Sequence, residues 1–119
     1  MVVSYSLWDI RSLLFVFDIE NTLNLEREKI IVSKNVNDDR ELAELFDILL
    51  RPEFARHNEI ERKLLIDTVA YFLEKNDSFD DVFSIMTTYF DDDVEDRRQF
   101  MRVLLIRLER YGDEIKSID

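Results

Sequence analysis

Apolar residues between Leu42 and Leu50 recur at i, i+3, i+4, i+7 and i+8, as Leu42, Leu45, Phe46, Leu49 and Leu50. That spacing lines one face of an α-helix and predicts a helix capped by Asn37 or Asp38. Pro52 ends it or opens another turn, because the residue before a proline is pushed out of the helical region. Asn58 followed by Glu61 has the spacing of a capping box. The helix behind it turns Leu65, Val69, Phe72 and Leu73 inward, and Glu59, Lys63, Asp67 and Glu74 outward, with Glu59–Lys63 spaced as an i, i+4 pair. Asn76-Asp77-Ser78 reads as a turn, and Ser78 with Asp81 caps a compact helix burying Phe79, Val82, Phe83, Met86 and Phe90. A second turn at Asp91-Asp92 leads to a final helix with the stripe Val94, Met101, Leu104, Leu105 and Leu108, closing on Tyr111. Gly112 is expected as the left-handed residue that stops it. Ser78 to Gly112 therefore reads as a C-terminal αα-hairpin.

The N-terminal third is less regular. Ser6 and Asp9 predict a helix from Leu7, with Leu7, Ile10, Leu14 and Phe17 on one stripe and Leu13, Phe15, Val16 and Ile19 widening it. A helix apolar nearly all round belongs inside a bundle. The rival is a strand over Leu13–Ile19, since Phe-Val-Phe-Asp-Ile has high β-propensity. Within Asn21–Val36, Leu23, Leu25, Ile30, Ile31 and Val32 fit a short helix, while Lys29–Ser33 equally fits an extended segment. Ser33–Asp39 reads as a loop. Trp8, Phe15, Phe17, Phe72, Phe79 and Phe90 are expected in the core.

Composition favours helices. The 119 residues include one Gly and one Pro, too few for the many turns of a sandwich or barrel, and 46% are hydrophobic. The expected fold is all-α, a single domain over residues 1–119 with about five helices, a short β element before residue 37 being the open alternative. With no cysteine, disulfides and thiolate chemistry are excluded. The apolar block Leu13–Phe17 is too short to span a bilayer, and Met1–Ser6 lacks a basic leader region. The expectation is a soluble, cytoplasmic protein.

Charge changes the picture most. The formal net charge is −11, which argues against direct contact with nucleic acid or anionic membranes. From Asp77 to Asp96 there are eight carboxylates and no Lys or Arg, after which Arg97, Arg98, Arg102, Arg107 and Arg110 face one acid, Glu109. Acid at a helix start and base towards its end suit the macrodipole. Capping by Asp92 or Asp93 and pairs such as Asp93–Arg97 and Glu95–Arg98 would use two or three of the acids. They leave Asp77, Asp80 and Asp81 unexplained. A calcium loop fails, because the sixth position from Asp91 is Asp96 where glycine is required, and the twelfth is Arg102 where glutamate is required. Two readings stay open: a solvated, capped helix start, or recognition of a basic protein, with Asp77, Asp80, Asp81, Asp91, Asp92, Asp93, Glu95 and Asp96 steering around the aromatic anchor of Tyr89 and Phe90.

Catalytic signals are absent from the sequence. His57 is the only histidine, and with Glu53 and Glu61 it lacks the paired motifs of a di-iron bundle. It is read as a surface or capping residue. No nucleophile–base pattern, glycine-rich phosphate loop or zinc signature occurs. No cofactor, metal site or catalytic residue is expected, and the protein is read as not an enzyme. The functional expectation is a small acidic protein that covers a basic partner, as toxin-immunity proteins and antitoxins cover nuclease toxins. Alternatives are a DNA mimic, a carboxylate-based metal-dependent enzyme and a structural subunit.

Overall fold

Asp38 has extended backbone, with φ −100° and ψ 118°, and its carboxylate accepts the Arg40 and Glu41 N–H groups at 2.9 and 3.1 Å. It thereby satisfies donors that the start of a helix leaves free. In the computed structural model, which describes residues 5–17, 25–83, 90 and 94–118, it opens one of seven α-helical elements. These are α1 (Leu7–Leu14), α2 (Leu25–Val32), α3 (Asp39–Leu45), α4 (Arg51–Ala55), α5 (Glu59–Glu74), α6 (Asp80–Phe83) and α7 (Arg97–Ile118). A 3-10 turn, Phe15–Phe17, extends α1, and a π-helical segment, Phe46–Leu50, joins α3 to α4. No strand occurs among the described residues. The fold is an all-α bundle.

The helix over Leu13–Phe17 and the α2 helix decide both open alternatives against β structure. Ile31 of α2 and Val36 beyond it reach the core. The loop between α2 and α3 is held by Lys34, which bonds Glu44 at 2.8 Å. That hydrogen bond, with the lysine's charge, keeps the Glu44 carboxyl below its ordinary pKa.

Pro52 does not end the helical run but opens a further turn, α4. Proline has no N–H and its ring clashes with the carbonyl four residues back. The chain avoids both problems by widening the preceding turn, so that the Arg51 N–H reaches the Phe46 carbonyl, five residues back. Pro52 then lies in the first turn of α4. The wider turn leaves Leu42, Leu45, Phe46, Leu50 and Phe54 fully buried and rotates Leu49 to partial burial.

α7 is the central element. It packs along α5 and also against α3, α4 and the π segment. Contact on two sides explains why Phe100 and Val103 are buried beside the expected Met101, Leu104, Leu108 and Tyr111. Phe100 is an aromatic hub, with ring centroids 5.3 Å from both Phe46 and Phe83 and 5.9 Å from Phe90. α1 sits across α5 and α6.

Several expectations need correction. Gly112 does not stop α7, which runs on to Ile118 with no glycine at positive φ. Packing of this last turn overrides the intrinsic helix-breaking of one glycine, worth about 1 kcal/mol. The helix starts at Arg97, so the acidic run precedes it instead of forming its first turn. Trp8 and Phe15 are exposed, at 61% and 42%. α1 buries Ile10, Leu13 and Leu14, and these two aromatics, seven residues apart, share the opposite face. Lys63 pairs with Asp67 at 3.1 Å instead of Glu59. In the αα-hairpin, α6 is described only over Asp80–Phe83, and Met86 lies outside the described residues. No helix among them is long and apolar enough to cross a membrane.

Candidate partner-binding edge

Two helix starts lie side by side here. Asp96 caps α7, its carboxylate accepting the Gln99 N–H at 3.0 Å and its carbonyl the Phe100 N–H at 3.0 Å. Gln99 reaches across to α3, where its Nε2 donates to Asp39 at 2.8 Å. The Asn37 side chain, just before α3, accepts the Glu95 N–H at 2.9 Å. These two cross-links bring Asp38, Asp39, Glu95 and Asp96 together from positions about sixty residues apart in the chain. Free N–H groups and the positive ends of two helix dipoles offset the repulsion between the carboxylates.

The α6 side is built differently. α5 ends at Glu74 with Lys75 as its cap, and Asn76 beyond it adopts the left-handed conformation at φ 64° while its N–H bonds the Leu73 carbonyl and the Asp77 N–H bonds the Phe72 carbonyl. The Asp77 carboxylate then accepts the Phe79 N–H at 2.7 Å. Phe79 also has positive φ, 62°, and is held there by that bond and by complete burial of its ring. The Ser78 hydroxyl accepts the Asp80 N–H at 3.4 Å, a long contact, so Asp77 does more of the local fixing than the expected Ser78–Asp81 box.

Asp80 joins the two halves. It pairs with Arg97 at 2.6 Å, and that guanidinium lies 5.2 Å from the Phe83 ring centroid. Arg97 thus takes Asp80 as partner. Arg98 turns away to donate to the Leu73 carbonyl at 3.4 Å, leaving the expected Glu95–Arg98 pair unmade. Asp81 is exposed and has no cationic partner among the described residues. Tyr89, Asp91, Asp92 and Asp93 lie outside the described residues.

The expected site residues therefore fall into two groups. Asp77, Asp80 and Asp96 have local structural work as turn former, ion-pair partner and cap. Asp81 and Glu95 have no side-chain bond among the described residues, and Asp39 accepts only the amide hydrogen bond from Gln99 that links α3 to α7. Asp38 was legible as a helix cap, whereas Asp39, the first residue of α3, reads as loop by composition. Their placement beside Glu95 and Asp96 was not legible, because no local pattern in the sequence says that the starts of α3 and α7 abut.

His57 remains peripheral. Its Nδ1 lies 2.8 Å from Glu61, whose backbone N–H and second carboxylate oxygen engage Asn58 at 2.8 and 2.7 Å. The histidine is part of the start of α5. No three His, Asp or Glu side chains among the described residues are arranged to hold a metal ion.

No family model, curated protein or solved structure matches this chain. The geometry of the edge is thus the only support for a functional reading.

Proposed function

We propose that this protein binds and covers a cationic protein through the edge formed by Asp39, Asp80, Asp81, Glu95 and Asp96. The observation that carries this reading is the convergence of the acidic starts of α3 and α7, to which the Asp80–Arg97 pair ties α6; Asp39, Glu95 and, in α6, Asp81 neither cap a helix nor pair with a cation among the described residues. Carboxylates so placed raise the negative potential locally, which speeds encounter with a positive surface and fixes its orientation. With a net charge of −11 behind it, the edge suits a partner whose own working surface is basic. A nuclease toxin has such a surface, because its substrate is polyanionic. The protein is therefore proposed as an occluding inhibitor of the immunity or antitoxin type.

The test is capture from the native source on immobilised wild-type protein and on a variant carrying Asp39→Asn, Asp81→Asn and Glu95→Gln. A basic protein retained by the wild type and lost from the variant supports the proposal. Equal retention by both removes it.

A further inference from the structure

Asp81 also borders a different kind of surface. α1 presents Trp8 to solvent, and the Arg11 guanidinium lies 4.8 Å from the indole centroid, which orients the ring. Tyr5 stacks on Tyr71 at 4.8 Å, and Tyr71 meets Phe72 edge-on at 5.1 Å. Beneath Trp8 lies a cavity of about 330 Å³ whose walls include Tyr5, Leu7, Trp8, Arg11 and Phe72, and Asp81 stands on its rim. Its size falls within the range of small binding pockets. Its lining combines the aromatic and aliphatic groups of Tyr5, Leu7, Trp8 and Phe72 with polar groups from Ser6, Arg11 and Asp81. Aromatic residues and arginine are enriched at interface centres, with other charges at the rim.

We propose that this hollow seats an apolar side chain from an amphipathic, net-positive segment of the partner, with a neighbouring Lys or Arg of that segment on Asp81. The proposal rests on the reading of the acidic edge as a docking surface and adds its anchor. Charge complementarity selects the occupant. The Arg11 guanidinium faces the Trp8 ring, whereas Asp81 lacks a cation among the described residues and follows Asp80 of the acidic edge in α6. A segment crossing from the edge to the hollow would meet carboxylates first and an apolar seat last. Tyr89 was the aromatic anchor expected from sequence; the hollow places Trp8 in that role.

Trp8 is the only tryptophan in the chain, so its emission reports the hollow alone. The probes are short blocked peptides: one of leucine and lysine, one with leucine replaced by serine, and one with lysine replaced by glutamate. Anisotropy of labelled peptide reads binding anywhere, and Trp8 emission reads the hollow. The leucine–lysine peptide should shift Trp8 emission to the blue in a saturable way. The serine–lysine peptide should bind more weakly and leave the emission in place. Asp81→Asn should weaken the Trp8-reported affinity by about threefold to fivefold at low salt, the size of an exposed charge contact. Because the Asp81 side chain makes no hydrogen bond or ion pair among the described residues, that variant should keep the wild-type helical signal. An anisotropy rise with Trp8 unmoved overturns the hollow as anchor and leaves the acidic edge standing. No anisotropy change with either cationic peptide overturns both. An equal Trp8 shift from the glutamate peptide, or one indifferent to Asp81→Asn, overturns the cationic occupant.

Discussion

Arg107 grips Asp47 with two nitrogens, Nε at 2.9 Å and Nη2 at 2.6 Å, across a separation of sixty residues. Nη2 also reaches the second carboxylate oxygen at 2.8 Å, and the Tyr111 hydroxyl donates to Asp47 at 2.5 Å. Asp47 belongs to the π segment that Pro52 provokes, so this contact fastens the irregular turn to the central helix. Burial alone would lower the Arg107 pKa, but its bonds to Asp47 and Tyr111 more than offset that and raise it. Burial, then the bond to Asp47, pushes the Tyr111 phenol above its ordinary value.

A pH profile follows from Tyr111. A phenol whose folded pKa exceeds its unfolded value gives stability that is complete below about pH 10 and is lost as pH rises through the folded value. Tyr111→Phe removes the hydroxyl and this dependence with it. Wild type should exceed the variant by a constant margin at pH 7–9, on the order of 1 kcal/mol for the hydrogen bond. Above about pH 10 the margin should shrink. Urea unfolding of both proteins between about pH 7 and 11 checks it. A margin that grows with pH would mean the phenol is not held protonated by the fold.

Gly112 supplies a test by sign. In the middle of a helical run, Gly112→Ala should stabilise by about 0.5–1 kcal/mol, since alanine is the better helix former. An added Cβ would meet only Ile66 Cδ1, at an ordinary 3.6 Å. At a left-handed helix stop the same substitution would destabilise. Thermal or chemical denaturation distinguishes the two, and a lowered midpoint would restore the helix end at residue 112.

Much of the architecture was legible because periodicity specifies faces. The stripes Leu42–Leu50, Leu65–Leu73 and Met101–Tyr111 supply nearly half of the buried apolar side chains among the described residues, and the α1 stripe adds Ile10, Leu14 and Phe17. Periodicity does not specify which element meets which face. Trp8 and Phe15 looked like core on hydrophobicity, yet among the described residues α1 packs through its Ile10, Leu13 and Leu14 face against α5 and α6. Phe100 and Val103 were missed for the opposite reason, since α7 has neighbours on two. The acidic stretch was visible as composition, but its division into structural and free carboxylates depends on Asn37, Asp39 and Gln99. Asp47 with Arg107 left no local trace, because neither residue belongs to a motif.

That division of labour among acids can be measured. Asp96→Ala removes the α7 cap and should cost about 1 kcal/mol. Glu95→Ala, one residue earlier and exposed, should change stability by less than about 0.5 kcal/mol, as surface substitutions do. Urea midpoints of the two variants give the comparison. Equal losses would show that Glu95 has a structural task and weaken its assignment to the interface.

The docking claim meets its most direct test in stopped-flow association with the captured basic partner, at about 20 and 200 mM salt, where screening lengths differ severalfold. Asp39→Asn, Asp81→Asn and Glu95→Gln together should slow association about tenfold at low salt and flatten its salt dependence, with dissociation changed less. Glu59→Gln, Glu74→Gln and Glu109→Gln remove the same amount of charge from exposed positions elsewhere and should leave both rates near wild type. An unchanged association rate in the first set, with a slowed one in the second, would contradict the account and move the interface away from the joined starts of α3 and α7.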